Sequence, residues 1–218
     1  MPQGGTKIST SNRVIKSPAR LQVFRKAVGS VITKPIIALL AKTRVTPNMV
    51  TWFGFILILG AAVLAGLGHL FAAGWVMLAS GFLDIIDGAL ARGTNQVTRF
   101  GAVLDSTLDR ASEALILLGI AAYYLFFKAV GHFEWIVLLI GLAIMGSFLV
   151  SYVRARAEGI GLDCQVGIFT RTERVIILAL GLLLGSIETV LITVLAVVAV
   201  LSLVTVMQRM VYVAKQVR

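Results

Sequence analysis

From residue 48 to residue 69 the chain runs without a single Asp, Glu, Lys or Arg. Twenty-odd helical residues rise about 30 Å, the thickness of a bilayer's hydrocarbon core. A soluble domain has no room for several long apolar runs, and this chain has further predominantly apolar runs at roughly 72–92, 101–127, 134–157, 173–187 and 189–212. Of its 218 residues 58% are hydrophobic and only 14% charged. The fold class is therefore all-α: a polytopic membrane protein with six transmembrane helices. The fifth run is short and interrupted by glycine, which predicts a helix that is tilted or extended at its N-terminal end.

The formal net charge is +10, and its placement points to a membrane surface instead of nucleic acid. Residues 1–46 carry nine basic residues and no acid. Juxtamembrane basic clusters are drawn to the anionic cytoplasmic leaflet and fix topology. Loops alternate in the same sense: those after the first, third and fifth spans hold Lys128, His132, Glu134 and Glu188, and nearly all remaining arginine and lysine lies on the other side. Six spans with both termini cytoplasmic satisfy the positive-inside rule at every loop. Two parts follow: a basic tail with a juxtamembrane amphipathic helix over 1–45, and a six-helix membrane domain over 46–218. The amphipathic helix is read from Leu21, Val23, Phe24, Val28, Val31 and Ile32 at near-helical spacing, broken near Pro35. Residues 1–15 read as disordered. No secretory signal or lipidation motif is evident, and one cysteine, Cys164, excludes an internal disulfide. Trp52, Trp75 and Trp135 sit near span ends, as interface anchors do. "GLLLG" at 181–185 permits close helix approach, equally within the chain or at a dimer seam.

Against this background "LDIIDGALARGTNQVTRFGAVLDSTLDR", residues 83–110, places Asp84, Asp87, Asp105 and Asp109 inside helical runs. Acids three and four apart share a helix face. A loop of about ten residues lets the two pairs converge at one depth, just inside the cytoplasmic boundary. Four carboxylates that close cannot all stay ionised without counter-charge, and intramembrane acids are costly and usually functional. Hard oxygen ligands in this number suit Mg²⁺ or Mn²⁺; without a Cys/His cluster zinc is disfavoured. Gly88 and Gly101 allow close approach, and Arg92 adds a cation, which together suit a diphosphate. Two other readings stand beside this one: structural salt bridges to Arg92, Arg99 and Arg110, and a carboxylate-lined cation transporter, disfavoured because all four acids crowd one end of the membrane. Glu113, one turn beyond Asp109, either orients a side chain of the site or, the favoured reading, pairs with Arg110, and His69 and His132 fall on the far side of the membrane.

The order Asp84-x-x-Asp87-Gly88-x-x-Ala91-Arg92, eight residues, Gly101-x-x-x-Asp105-x-x-x-Asp109 resembles the signature of the CDP-alcohol phosphotransferase family at every position, and the likeness extends over residues about 40–212. The resemblance implies a transferase of phospholipid biosynthesis that moves the phosphatidyl group of CDP-diacylglycerol to a second alcohol and releases CMP. It implies two divalent ions per active site, one held by Asp84, Asp87 and Asp105 and the other by Asp84, Asp105 and Asp109. Asp109 is also the implied general base. "TPNMVT" at 46–51 matches the family's cytidine-pocket segment, implying CDP-alcohol contacts from Pro47, Asn48, Met49 and Val50, with Gly88 and Arg92 on the diphosphate and Thr98 in the following loop. Thr46–Pro47 is independently a helix start. The family also implies a homodimer in the cell membrane, with the active site cytoplasmic.

"SYVRARAEGIGLDCQVGIFTRTER", residues 151–174, resembles the corresponding segment of the phosphatidylinositol phosphate synthases, which join CDP-diacylglycerol to inositol 1-phosphate. The implied acceptor-phosphate residues are Arg154, Arg156 and Arg209. On a regular helix Arg154 and Arg156 diverge, so only one faces a given pocket unless the helix ends there; both snorkelling to lipid headgroups is the alternative. Arg171 and Arg174 read chiefly as positive-inside anchors, with reach to the acceptor or lipid phosphate as the minor reading. Phosphatidylglycerophosphate synthase is the alternative within the class, with glycerol 3-phosphate or free inositol as other acceptors. Apolar grooves between helices are expected to take the acyl chains.

Overall fold

The computed structural model describes residues 46–94, 96–128 and 133–217. The amphipathic helix expected within 18–43, the tail before it and His132 lie outside the described residues. Six helices follow one another: α1 (Pro47–Gly66), α2 (Leu70–Gly93), α3 (Arg99–Phe127), α4 (Phe133–Gly159), α5 (Arg171–Leu183) and α6 (Glu188–Val217). All but α5 are long and apolar enough to cross a membrane. At 13 residues α5 is the short fifth span, starting two residues earlier than its apolar run.

Local chemistry sets the helix starts. Thr46 caps α1 by accepting from the Met49 N–H, with Pro47 in the first turn where its missing donor costs nothing. Thr98 caps α3 the same way, accepting from Gly101 N–H at 2.9 Å. At α5 the Glu173 carboxylate accepts from the backbone N–H of Thr170 at 2.9 Å, half of a capping box.

α1 packs on both α2 and α3, α4 on α6, and α5 wedges between α2 and α6. The shared core is aliphatic and small: Ala61 and Ala65 of α1, Ala73 and Met77 of α2, Ile116 and Ile120 of α3, Leu178 and Leu182 of α5, Leu195 and Val198 of α6. Large apolar side chains such as Phe53, Ile56, Leu59, Leu118 and Val200 face outward, as they must in lipid. Lipid tails supply no hydrophobic drive between helices, so close backbone approach does the joining. A Cβ on Gly119 would stand 2.4 Å from the Ala62 carbonyl oxygen, which locks α3 against α1. The glycines of "GLLLG" are spent within the chain: Gly181 abuts Val194 and Gly185 abuts Leu70.

Because successive long helices run antiparallel, the start of α1, the end of α2, the start of α3, the end of α4, the start of α5 and the end of α6 share one end of the bundle. Every residue singled out for chemistry lies there.

Candidate active site

α2 and α3 bring Asp84, Asp105 and Asp109 together: one carboxylate oxygen from each lies within 4.8 Å of the others. Asp87, one turn along α2, is buried and accepts from the Thr51 hydroxyl of α1 at 2.7 Å. One oxygen of Asp105 is buried with no donor at all. Into this cluster reaches a side chain from α5. Arg171 places one terminal nitrogen 3.1 Å from Asp84 and the other 2.5 Å from Asp109.

Two clefts meet at the acids. The first, about 340 Å³, is lined by Pro47, Asn48, Thr51, Asp87, Gly88, Arg92, Gln96, Thr98, Gly101 and Asp105. The glycines make it possible: a Cβ on Gly88 would press on the Arg92 guanidinium at 3.3 Å, and one on Gly101 would meet Thr98 Oγ1 at 2.9 Å and Asn48 Oδ1 at 3.1 Å. The second cleft, about 620 Å³, holds Asp105, Asp109, Arg110, Arg154, Glu158, Arg171, Arg174 and Arg209. Both volumes are in the range of small-molecule sites. Beside them a groove between α2 and α5, lined by Leu78, Phe82, Ile85, Val175 and Ile176, runs from the acids along apolar surface. Cys164, between α4 and α5, is fully buried, and burial pushes its thiol pKa up.

Residues 44–215 match the model of the CDP-alcohol phosphatidyltransferase family. The chain belongs to that family. As a CDP-alcohol phosphatidyltransferase it is a transferase, and its relatives narrow the comparison. It is 41% identical over 169 residues to the archaetidylinositol phosphate synthase of Methanothermobacter thermautotrophicus, covering 76% of this chain and 82% of that one. To the phosphatidylinositol phosphate synthase of Mycobacteroides abscessus it is 37% identical over 187 residues, 82% of each chain. Crystal structures of the Mycobacterium tuberculosis phosphatidylinositol phosphate synthase superpose with a TM-score of 0.77. The form with CDP-DAG bound is 33% identical, with 84% of this chain and 93% of that one covered. The form in complex with manganese and citrate is 32% identical and covers 84% and 88%.

Within this phosphatidyltransferase, most of the residues expected for the donor converge. Pro47, Asn48, Gly88, Arg92 and Thr98 share the first cleft. Met49 does not line that cleft, and Val50 is buried and lines a narrow cavity beside Thr51. Of the three acceptor arginines, Arg154 lines the second cleft, paired with Glu158 at 2.8 Å. Arg156 is exposed and outside it, as the divergence of residues two apart on a continuous helix requires. Arg209 lines the cleft but is buried, with its guanidinium donating to the carbonyls of Val166 (2.8 Å) and Val150, so it also staples α6 to the chain before α5.

Two expectations are corrected, and one alternative reading is settled against its named partners. Arg171 and Arg174 are not surface anchors. Arg174 is 1% exposed and grips Glu113 with two nitrogens at 2.6 and 3.0 Å, while Ser147 donates to the same carboxylate at 2.7 Å. Glu113 therefore pairs with Arg174 and not with Arg110, whose guanidinium instead donates to the Ser106 carbonyl of its own helix. Nor do Asp84 and Asp109 pair with Arg92, Arg99 or Arg110; their partner is Arg171. The capping box at Thr170–Glu173 was the available signal, because it puts Arg171 and Arg174 on the first turn of a helix three residues apart, on one face.

Proposed function

We propose that the protein is a phosphatidylinositol phosphate synthase, transferring the phosphatidyl group of CDP-diacylglycerol to inositol 1-phosphate with release of CMP. The observation that carries this reading is that Asp105 lines both clefts while Asp109 faces only the arginine-rich one. A nucleotide diphosphate on one side and a phosphorylated alcohol on the other then meet at the acids. The names of the relatives support the choice of acceptor.

The residues present fit divalent cations. Three carboxylate oxygens within 4.8 Å of one another, and a buried Asp105 oxygen without any donor, form an acceptor-only cluster, which suits a hard ion. Asp84, Asp87 and Asp105 would hold one Mg²⁺ or Mn²⁺ ion, and Asp84, Asp105 and Asp109 a second. When bound, such ions neutralise the diphosphate and stabilise the departing phosphate. Thr51 keeps Asp87 turned toward the cluster by its 2.7 Å hydrogen bond. Pro47 and Asn48 border the cytidine, with Gly88 and Arg92 against the diphosphate; Met49, facing outward, contributes through the helix start it shares with Val50. Asp109 takes the proton from the acceptor hydroxyl. That oxygen bonds to the phosphorus bearing the diacylglycerol, and the bond from this phosphorus to the CMP oxygen breaks, its electron pair leaving with CMP. Arg154 and Arg209 would hold the acceptor's own phosphate, with Arg156 limited to the headgroup surface. The groove along Phe82, Ile85 and Ile176 gives the lipid's chains a route to the bilayer.

Arg92, Arg99, Arg154, Arg156 and Lys215 crowd the site's end of the bundle, whereas Lys128 and Glu188 pair with each other at the opposite end. The positive-inside rule supports a site and termini on the cytoplasmic side, and the family resemblance supports a homodimer in the plasma membrane.

The test is CMP release by the purified protein in Mg²⁺ with CDP-diacylglycerol and, separately, inositol 1-phosphate, glycerol 3-phosphate or inositol, with the archaetidyl donor run in parallel. Release should require inositol 1-phosphate. A preference for glycerol 3-phosphate would overturn the acceptor while leaving the transferase chemistry standing.

A further inference from the structure

We propose that Arg171 is the site's resident counter-ion, displaced by the incoming cations and handed on to the anionic substrate. The inference rests on the metal-site reading above. Arg171 enters from the first turn of α5 and holds acids of two other helices with two different nitrogens, Asp84 of α2 at 3.1 Å and Asp109 of α3 at 2.5 Å. Both residues belong to the group whose oxygens lie within 4.8 Å of one another. Guanidinium and cation thus compete for the same carboxylates, and a cation at that range also repels the guanidinium.

Displacement has somewhere to go. Arg171 is one-third exposed and borders both the second cleft and the apolar groove. Its Nε is buried without a partner, so the fork has donor capacity the carboxylates leave unused. A phosphate in either space offers the paired oxygens that a guanidinium fits. Without metal, Arg171 keeps α2 and α3 together against the repulsion of their acids. With metal, the same side chain is free to bind phosphate. Linkage then requires reciprocity: a phosphate that captures Arg171 tightens cation binding by the factor with which cations tighten phosphate binding.

The experiment is Mn²⁺ binding to the full chain in detergent, read by electron paramagnetic resonance without substrate. Arg171→Gln should bind Mn²⁺ more tightly than wild type, by roughly tenfold, within the usual range of coupling between sites. Arg171→Lys should fall between, because one ammonium cannot bridge two carboxylates with separate nitrogens. Adding CDP-diacylglycerol should raise Mn²⁺ affinity more in wild type than in Arg171→Gln. A measurement on wild type alone avoids any folding defect: phenylglyoxal labelling of Arg171, mapped by mass spectrometry, should rise on adding Mn²⁺ and fall again on adding the CDP-lipid. Equal or weaker Mn²⁺ affinity in Arg171→Gln, or labelling indifferent to Mn²⁺, overturns the proposal. If wild type fails to bind Mn²⁺, or binds it no better than Asp84→Asn, the metal-site reading itself falls.

Discussion

The buried pair of Glu113 and Arg174 is the sharpest test of how this bundle is held at its chemical end. The two side chains are 4% and 1% exposed, joined by contacts of 2.6 and 3.0 Å, with Ser147 adding 2.7 Å from α4. Replacing Arg174 with Met strands a carboxylate among α3, α4 and α5 with one hydroxyl donor. Removing one partner of such a pair costs about 3–5 kcal/mol. On the scale of globular domains of this size, roughly 2–4 °C per kcal/mol, the midpoint should fall by about 6–20 °C. Removing both charges, Glu113→Leu with Arg174→Met, leaves the Ser147 hydroxyl without its acceptor and the Phe169 carbonyl without its 3.4 Å donor from Arg174, a loss of about 1–2 kcal/mol. The double variant should therefore recover most of the stability lost by the single one. The only cysteine, Cys164, is fully buried in the segment leading into α5, so a thiol-reactive fluorophore reports unfolding there directly. A single variant within about 2 °C of wild type, or a double variant as unstable as the sum of the two singles, would refute the argument, since either means the pair does not act as a unit.

Three further outcomes follow from particular contacts. Asp109→Asn should lower kcat by about 10²–10⁴-fold, the usual share of a general base, while CDP-lipid binding survives; retained turnover in a direct CMP assay removes Asp109 from that role. Arg154→Ala should raise the acceptor KM by about 10–100-fold, as loss of a charge-assisted hydrogen bond does, with little effect on the CDP-lipid. Arg156→Ala, exposed and outside the cleft, should leave both constants near wild type, and equal effects of the two substitutions would count against a phosphate in this cleft. Gly119→Ala sets a methyl 2.4 Å from the Ala62 carbonyl oxygen, a backbone atom with no rotamer to escape to, and should cost about 1–3 kcal/mol in a thermal melt. Gly60→Ala faces open space and is the neutral control.

The helices and the acids were legible in the sequence for the same reason: both depend on contacts within a few residues. Long apolar runs give the spans, and the Thr46–Pro47 cap sets where α1 begins. Asp84 and Asp87, then Asp105 and Asp109, share faces by helical spacing, and a short connection brings the two faces together. The end of α6 was less legible. It continues to Val217 past the apolar run that ends at 212, because Gln216 donates to the Asp163 carbonyl at 2.7 Å and extends the helix through a contact far away in sequence.

The arginines show where spacing stops being informative. A guanidinium at the end of a long flexible stem can meet any acid that helix docking brings near it, and docking here is decided by apolar packing. Leu178, Ala179 and Leu182 bury one face of α5 in the core, and Gly181 lets it settle on Val194 of α6. Only then do Arg171 and Arg174, on the turn below, arrive at Asp84, Asp109 and Glu113, partners 87, 62 and 61 residues away in the chain. The nearby candidate, Arg110, had no need of Glu113 because a carbonyl of its own helix was within reach. Arg171 and Arg174, delivered from α5, thus pair with Asp84, Asp109 and Glu113, while Asp87 accepts from Thr51 and one Asp105 oxygen has no donor, and carboxylates so placed are costly in an apolar setting. That concentration of negative charge is what the proposed cations would offset.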